Sequence, residues 1–167
     1  GQGDPANIAL ALAKGARMRG AQIAERTKVT GVVREDRRVT GIDWEAEDGS
    51  AGHIACEMIV NCAGMWGHEV GRMAGVNVPL HACEHFYIVS EPIAGLEQLP
   101  VLRVPDECAY YKVDAGKLML GAFEPKSKPW GMDGIRADFE FDQLAEDFDH
   151  FEPILEAAVN RVPLLGE

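Results

Sequence analysis

The 167-residue sequence lacks a long apolar run and any paired-cysteine motif, and each absence excludes a class of protein. No apolar stretch approaches the roughly 20 residues that a membrane-spanning helix requires, and we expect no signal peptide. The cysteines (Cys56, Cys62, Cys83 and Cys108) form no CxxC pair and have no zinc-ligand spacing with a histidine. We therefore expect no metal site and free, mostly buried thiols, which are typical of a reducing compartment.

Basic residues are also scarce. Sixteen Lys and Arg residues stand against 27 Asp and Glu residues, for a formal net charge of −11. Such a charge repels phosphate backbones and anionic membrane surfaces, so we expect neither nucleic acid nor a membrane as a partner. The acidic side chains crowd between Asp138 and Glu156, where they are typical of a solvated face.

The first half of the chain predicts an α/β arrangement. Asp4-Pro5 marks a helix start and Gly20 its end, with Ile8, Leu12 and Ala16 on a stripe that would lie against a sheet. Strands are predicted over 29–34 and 39–46, with turns at 35–37 and 47–50.

The apolar run from Ile54 to Val60 predicts a strand covered on both faces. It ends in the small-residue turn Ala63-Gly64-Met65-Trp66, and a short helix over 67–74 follows, stopped by Gly75. Ligands bind at the carboxyl ends of strands in α/β folds, and small residues let a cofactor approach the backbone. A tight strand-to-helix turn with no ligand explains the same residues.

The second half indicates an antiparallel sheet and a C-terminal helix. Strands are predicted over 79–89, 101–102, 109–113 and 117–123, and the last two are joined by the hairpin turn Asp114-Ala115-Gly116. A helix over 141–162 follows, which Pro153 kinks or divides. Because the composition shifts near Gly75–Pro79, we predict two lobes, 1–76 and 77–167.

Two groups of side chains in this half have chemical potential. His85 and Tyr87 would share one face of a strand, where an imidazole and a phenol can bind a carboxylate or move a proton. Tyr110-Tyr111 and Arg103 could line a pocket. Plain strand packing also accounts for both groups.

The whole sequence resembles the middle of the FAD domain of the glycine/D-amino-acid oxidase group, in particular dimethylglycine and sarcosine dehydrogenases. Its segments follow the order and spacing of that family. They are Asp4-Pro5-Ala6, Ala13-Lys14-Gly15-Ala16-Arg17, Gly20-Ala21, Val29-Thr30-Gly31, Ile59-Val60-Asn61-Cys62-Ala63-Gly64-Met65-Trp66, Val78-Pro79-Leu80, His85-Phe86-Tyr87-Ile88-Val89 and Leu99-Pro100-Val101-Leu102-Arg103.

A second resemblance is to the regulatory subunit of pyruvate dehydrogenase phosphatase, a relative with a regulatory role. It rests on the segments 79–87 and 147–153. The alternative function is therefore that of a non-catalytic relative, since a shared fold does not imply a shared reaction.

The family resemblance implies a fold and a cofactor. The fold is α/β with α+β character: part of a Rossmann-like FAD-binding lobe with a β-meander, then an antiparallel substrate-domain sheet with a C-terminal helix. Val29 would support the adenine end of FAD, and Ala63, Gly64 and Trp66 would approach the flavin.

The resemblance also implies a reaction. Tyr87, with His85 beside it, would act on a small N-methylated amino acid as its N-methyl carbon gives a hydride equivalent to FAD. The resulting iminium would lose formaldehyde or pass its carbon to tetrahydrofolate in an attached domain. The protein would be cytoplasmic in a bacterium or lie in the mitochondrial matrix.

The sequence departs from the family pattern in what it lacks. It contains no GxGxxG phosphate loop, no histidine that tethers FAD, and no segment that closes over the flavin. We therefore expect an internal part of a longer protein, with no FAD bound to this chain alone.

Overall fold

The computed structural model describes residues 3–166, and these divide into two compact units, Asp4–Ala82 and Cys83–Gly166. Each unit has its own antiparallel sheet, and the second ends in a helix. This confirms the mixed α/β class with antiparallel sheets and a C-terminal helix. The predicted division of the chain into a partial FAD-binding lobe, 1–76, and a partial substrate-binding lobe, 77–167, stays a prediction.

The first unit opens with the predicted helix, α1 (Pro5–Met18). Asp4 caps it by accepting a hydrogen bond from Asn7 N–H at 2.7 Å. Gly20, with φ of +89°, follows the helix, and the Ala21 and Gly20 N–H groups bond back to Ala16 and Arg17 carbonyls. The expectation for the apolar stripe was wrong, because no α1 residue is buried against another described element.

A three-stranded antiparallel meander follows, in the order β1-β2-β3. Its strands are β1 (Thr27–Glu35), β2 (Arg38–Ala46) and β3 (Ala51–Ala55). A register shift between Val29 and Gly31 interrupts the β1–β2 pairing. Gly41 lies under the His53 ring, where an added Cβ would come within 2.3 Å of the imidazole, so its lack of a side chain is required.

The prediction of a buried strand over 54–60 was wrong. β3 stops at Ala55, and beyond it Met58 and Val60 are 85% and 84% exposed. A strand covered on both faces needs neighbours on both sides, and no described element pairs with this segment. The same exposure corrects the expectation of mostly buried thiols, since Cys62 is exposed and the other three cysteines are half-buried.

The short helix α2 (Gly67–Met73) confirms the helix predicted over 67–74. A single turn of 3-10 helix, Gly64–Trp66, leads into it, and Gly75 follows it with φ of +65°. No helix among residues 3–166 is long and apolar enough to cross a membrane.

The second unit is built on a four-stranded antiparallel sheet, in the order β5-β8-β7-β6. Its strands are β5 (Tyr87–Val89), β6 (Leu102–Val104), β7 (Ala109–Asp114) and β8 (Lys117–Ala122). The prediction of one continuous strand over 79–89 was wrong, because the chain forms two separate strands there, β4 (Ala82–Cys83) and β5. β4 pairs with β9 (Pro129–Trp130), whereas β5 pairs with β8.

The β7–β8 hairpin turns as predicted. Ala115 and Gly116 both have positive φ, 49° and 75°, and Asp114 pairs with Lys117. Two successive positive φ values define the tight hairpin turn whose twist matches that of the strands.

One face of this sheet is covered by α3 (Phe148–Arg161). The core consists of alternate residues of β7 and β8 together with three residues of the helix: Ala109, Tyr111, Val113, Leu118, Leu120, Ala122, Phe151, Ile154 and Ala158. Phe151 and Leu120 are its largest fully buried side chains. The period of two in the strands directs all these sheet residues to the same side.

The C-terminal helix begins seven residues later than predicted, at Phe148 instead of Phe141. Asp147 explains this start, because one carboxylate oxygen accepts the His150 N–H at 3.1 Å and the other pairs with Lys128. The hydrogen bond from Lys128, followed by that from the His150 N–H, lowers the pKa of the Asp147 carboxyl. Pro153 lies inside the helix without dividing it.

We predict that Asp147→Asn keeps the capping acceptor but loses the ion pair, and so lowers the thermal midpoint modestly at pH 7. Because the folded-state pKa lies below the ordinary value of 3.8, this stabilisation is present above that value. It disappears as the pH falls through the lower folded-state pKa. Thermal melts of wild type and variant at a series of pH values from 7 downwards should therefore converge at acid pH. A gap that persists there would contradict the assignment.

Candidate active site

The sheet of the second unit has one face under α3 and one open face. Two adjacent tyrosines, Tyr110 and Tyr111, lie on opposite faces of this sheet. Tyr111 is 4% exposed in the core, and its hydroxyl has no hydrogen-bond partner among the described residues. Burial, followed by the nearby Glu107 carboxylate, raises the pKa of that phenol. Tyr110 lies on the opposite, open face, so of the predicted pair only Tyr110 is accessible to a ligand.

A row of four residues crosses the open face, one from each strand. The pairing places Tyr87 opposite Gly121, Gly121 opposite Tyr110, and Tyr110 opposite Arg103. The Tyr110 ring lies across the space where Gly121 has no side chain. A Cβ at Gly121 would be 2.0 Å from Tyr110 Cζ and 2.3 Å from its hydroxyl oxygen. Gly121 thus lets the phenol lean across β8.

Phe123 is the centre of an aromatic and cationic cluster on this face. Its ring centroid lies 5.6 Å from that of His85 in an edge-on arrangement, and 5.7 Å from that of Tyr110. The Arg103 guanidinium carbon lies 4.5 Å from the same centroid, within the range of a cation–π contact. We call these four residues the open-face cluster: His85, Arg103, Tyr110 and Phe123.

Glu124 holds the imidazole of His85. One carboxylate oxygen lies 2.6 Å from His85 Nδ1, and the other accepts the Phe86 N–H at 3.0 Å. The Glu124 side chain is 2% exposed, whereas that of His85 is 42% exposed. A buried carboxylate with both oxygens engaged fixes the ring orientation and leaves the far side of the imidazole towards solvent.

Tyr87 lies at the margin of this arrangement. Its side chain is half-exposed, and its hydroxyl accepts a long hydrogen bond, 3.4 Å, from the Gln143 amide. It also lines a groove of 260 Å³ beside Val89 and Phe148. His85 and Tyr87 both reach the open side, although His85 precedes the strand instead of lying in it.

The cofactor-side residues predicted for FAD lie in the first unit. Val29 is half-buried on β1, an outer strand of the meander. In the Ala63-Gly64-Met65-Trp66 turn, Gly64 has φ of +53°, and a Cβ there would meet no heavy atom within 4 Å. The backbone at Gly64 is therefore unobstructed, which fits the close approach of a flat ring system at this residue.

Asn61 stabilises that turn from within. Its side-chain oxygen accepts the Ala63 N–H at 3.2 Å, and its amide nitrogen donates to the Gly67 carbonyl at 2.8 Å. An asparagine two residues before a glycine-containing turn is the sequence signal that could have identified this role.

Three further residues of the site escaped sequence analysis: Gly121, Phe123 and Glu124. Glycine and phenylalanine in a strand indicate nothing specific until register is known. Glu124 lies 39 positions from His85, so no local spacing connects them. The sequence offered one signal for Glu124, which is a carboxylate that follows closely after an apolar strand.

The family model described as FAD dependent oxidoreductase, DAO, matches residues 1–167. The chain belongs to this DAO family of FAD-dependent oxidoreductases. FAD is therefore the cofactor of the family to which these residues belong, and the resemblance inferred from the sequence is confirmed.

Curated relatives of the DAO chain include enzymes and one regulatory protein. Mouse mitochondrial sarcosine dehydrogenase is 40% identical over 97% of the chain and 17% of the relative. The mouse mitochondrial pyruvate dehydrogenase phosphatase regulatory subunit is 38% identical over 96% of the chain and 18% of the relative. Mouse mitochondrial dimethylglycine dehydrogenase is 32% identical over 97% of the chain and 19% of the relative. The chain thus spans less than a fifth of the length of these relatives.

A solved structure shares the fold. L-proline dehydrogenase from P. horikoshii superposes with a TM-score of 0.67 at 20% identity, covering 98% of this chain and 40% of that chain. At this identity the likeness concerns the fold alone.

We predict that Gly121→Ala destabilises the sheet by roughly 1–3 kcal/mol, the usual cost of overpacking, because the new methyl group displaces the Tyr110 ring. The double variant Gly121→Ala/Tyr110→Ala should recover much of that loss, and urea unfolding of the four-member cycle measures the coupling. Gly15→Ala is the control, since a Cβ there meets nothing within 4 Å and alanine suits the interior of α1, so this variant should not lower stability. If the losses of stability in the two single variants simply add in the double variant, the contact between residue 121 and the Tyr110 ring is contradicted.

Proposed function

We propose that the protein carrying this chain oxidises small N-methylated amino acids, of which sarcosine and dimethylglycine are the leading candidates. The observation that carries the proposal is the imidazole of His85, oriented by buried Glu124 on an open sheet face beside Tyr110. The names of the sarcosine and dimethylglycine dehydrogenase relatives support the substrate class. FAD, when bound, accepts the hydride equivalent from the N-methyl carbon.

His85 is the proposed base for the substrate ammonium. In the tautomer whose Nδ1–H donates to Glu124, Nε2 carries a lone pair directed away from the carboxylate. The exposed side of the ring can then take a proton from the amine, which must be neutral before its methyl carbon can lose a hydride. The substrate iminium that results adds water and releases formaldehyde, or transfers its carbon to tetrahydrofolate in a separate domain.

Two phenols can orient the amine. Tyr110 belongs to the open-face cluster, and Tyr87 lies across Gly121 from it on the same face. Each hydroxyl can donate or accept a hydrogen bond, so together they can hold the substrate nitrogen in line for proton transfer.

Val29, Ala63, Gly64 and Trp66 are the residues proposed to hold FAD. The outer position of β1 and the bare backbone at Gly64 support this assignment. None of the four side chains carries a charge, and at Ala63 and Gly64 the small or absent side chain would let the cofactor approach the backbone.

The alternative from the sequence was a non-catalytic regulatory relative. The match to the DAO family model and to both amine dehydrogenases does not favour it. A regulatory protein would not oxidise the amine, so a test for amine oxidation separates the two functions.

We predict that sarcosine or dimethylglycine, added without oxygen to the FAD-loaded whole protein, removes the absorbance of oxidised flavin and yields formaldehyde on work-up. Glycine is the control, because it lacks the N-methyl group that is oxidised. If the flavin is present and neither amine bleaches it, the proposed reaction fails for these substrates.

Adjacent tyrosines provide a matched test of the open face. Tyr110→Phe should lower kcat/KM on the order of tenfold through the lost hydrogen bond, and Tyr87→Phe should lower turnover with folding intact. Tyr111→Phe, one residue away on the core face, should leave the kinetics unchanged, since its hydroxyl has no partner in the structure. Steady-state kinetics compare the three variants. Equal losses in all of them would contradict the assignment of faces.

A further inference from the structure

We propose that Gln143 is a positioning residue, which holds the phenol of Tyr87 in place on the open face. This inference rests on the function proposed above, because Gln143 would act on the substrate amine only through Tyr87. Gln143 lies in the segment between β9 and α3, 56 positions from Tyr87, so no local spacing connects the two residues.

The contact joins the polar ends of the two side chains. The Gln143 amide donates a hydrogen bond of 3.4 Å to the Tyr87 hydroxyl oxygen. Tyr87 lies on β5, an edge strand of the sheet, and is 50% exposed, so packing restrains its phenol on one side only. Hydrogen bonds in ligand-free active sites are often long and tighten once the substrate is bound. The length of this one therefore fits a site that awaits its ligand.

Gln143 is itself held by its neighbours. Its N–H donates to one carboxylate oxygen of Asp142 at 2.9 Å, and the other oxygen accepts a hydrogen bond from Arg136 at 2.8 Å. The Arg136–Asp142 pair closes a short loop, and the Phe139 ring of that loop lies 4.5 Å from the ring of Trp130 on β9. A side chain on a braced loop can restrain its partner, whereas one on a free loop would move with it.

The hydrogen bond also determines which groups of the phenol remain for a ligand. A tyrosine hydroxyl has one hydrogen to donate and two lone pairs that accept. Because the Gln143 amide engages one lone pair, the hydroxyl hydrogen and the second lone pair are left for the substrate nitrogen. A phenol fixed in this way keeps that nitrogen in line for proton transfer.

The first test is a double-variant cycle in the FAD-loaded whole protein. Gln143→Met keeps the length of the side chain but removes the N–H donor. With sarcosine it should lower kcat by roughly threefold to tenfold, as expected for one lost neutral hydrogen bond, and change KM less, because the remaining contacts still bind the substrate. In the Tyr87→Phe background the same change should cost nothing further, since no hydroxyl is left to hold.

The second measurement needs no turnover. Fluorine NMR of the whole protein with 3-fluorotyrosine at position 87 reports on the hydroxyl, because the fluorine lies beside it on the ring. Gln143→Met should shift or broaden this resonance.

Two further variants complete the experiment. Gln22→Met removes an exposed glutamine amide from the first unit and should leave both the resonance and kcat as in wild type. Gln143→Glu offers no N–H donor when it is ionised, so it should lower kcat as well and lose this effect in the Tyr87→Phe background. Because Gln143 is exposed, neither change at this position removes a core contact. If Gln143→Met nevertheless fails to fold, Gln143→Glu carries the test.

The outcomes separate this inference from the proposed reaction. A resonance that responds to Gln143→Met, in a protein that oxidises no N-methyl amino acid, would support the hold on Tyr87 and reject the reaction. Oxidation of sarcosine with kcat unchanged in Gln143→Met, or with the same loss in both backgrounds, would overturn the role of Gln143 alone. An unchanged fluorine resonance in Gln143→Met would also overturn it.

Discussion

The packing of α3 against one face of the four-stranded sheet is the constraint on which the second unit depends. Phe151 and Leu120 are fully buried at that contact, and the alternation of side chains along β7 and β8 follows from it. Because every second residue must enter the core, the residues between them are left on the opposite face. That face is where Tyr110 and Arg103 lie, so the site is a by-product of how the core is packed.

Rigidity of the open face comes from two local devices of different kinds. Glu124 is a buried carboxylate with both oxygens engaged, and in a low-dielectric environment such a group holds its partners strongly. Gly121 acts through absence, since its missing side chain lets the Tyr110 ring cross the strand. Glu124 thus fixes the imidazole of His85, and Gly121 makes room for the phenol of Tyr110. Neither Glu124 nor Gly121 needs to contact a ligand itself.

Family membership and reaction are separate matters for this chain. The chain is similar both to an amine dehydrogenase and to a regulatory subunit: it is 40% identical to mouse sarcosine dehydrogenase and 38% identical to the mouse pyruvate dehydrogenase phosphatase regulatory subunit. A fold can persist while its chemistry changes. The geometry around His85 therefore supports catalysis more directly than overall similarity does.

Local sequence was enough for the features that a few neighbouring residues control. The Asp4 cap and Gly20 end of α1, the β7–β8 turn and the helix before Gly75 were all predictable, because capping and turn chemistry act over three or four residues. The open-face cluster was not, since it joins residues far apart in sequence through strand register. The same reason defeated the strand over 54–60, where an apolar run cannot tell whether a neighbouring strand is present to cover it. Pairing between distant segments, which the tertiary fold alone supplies, made Tyr110 a surface group and Tyr111 a core group.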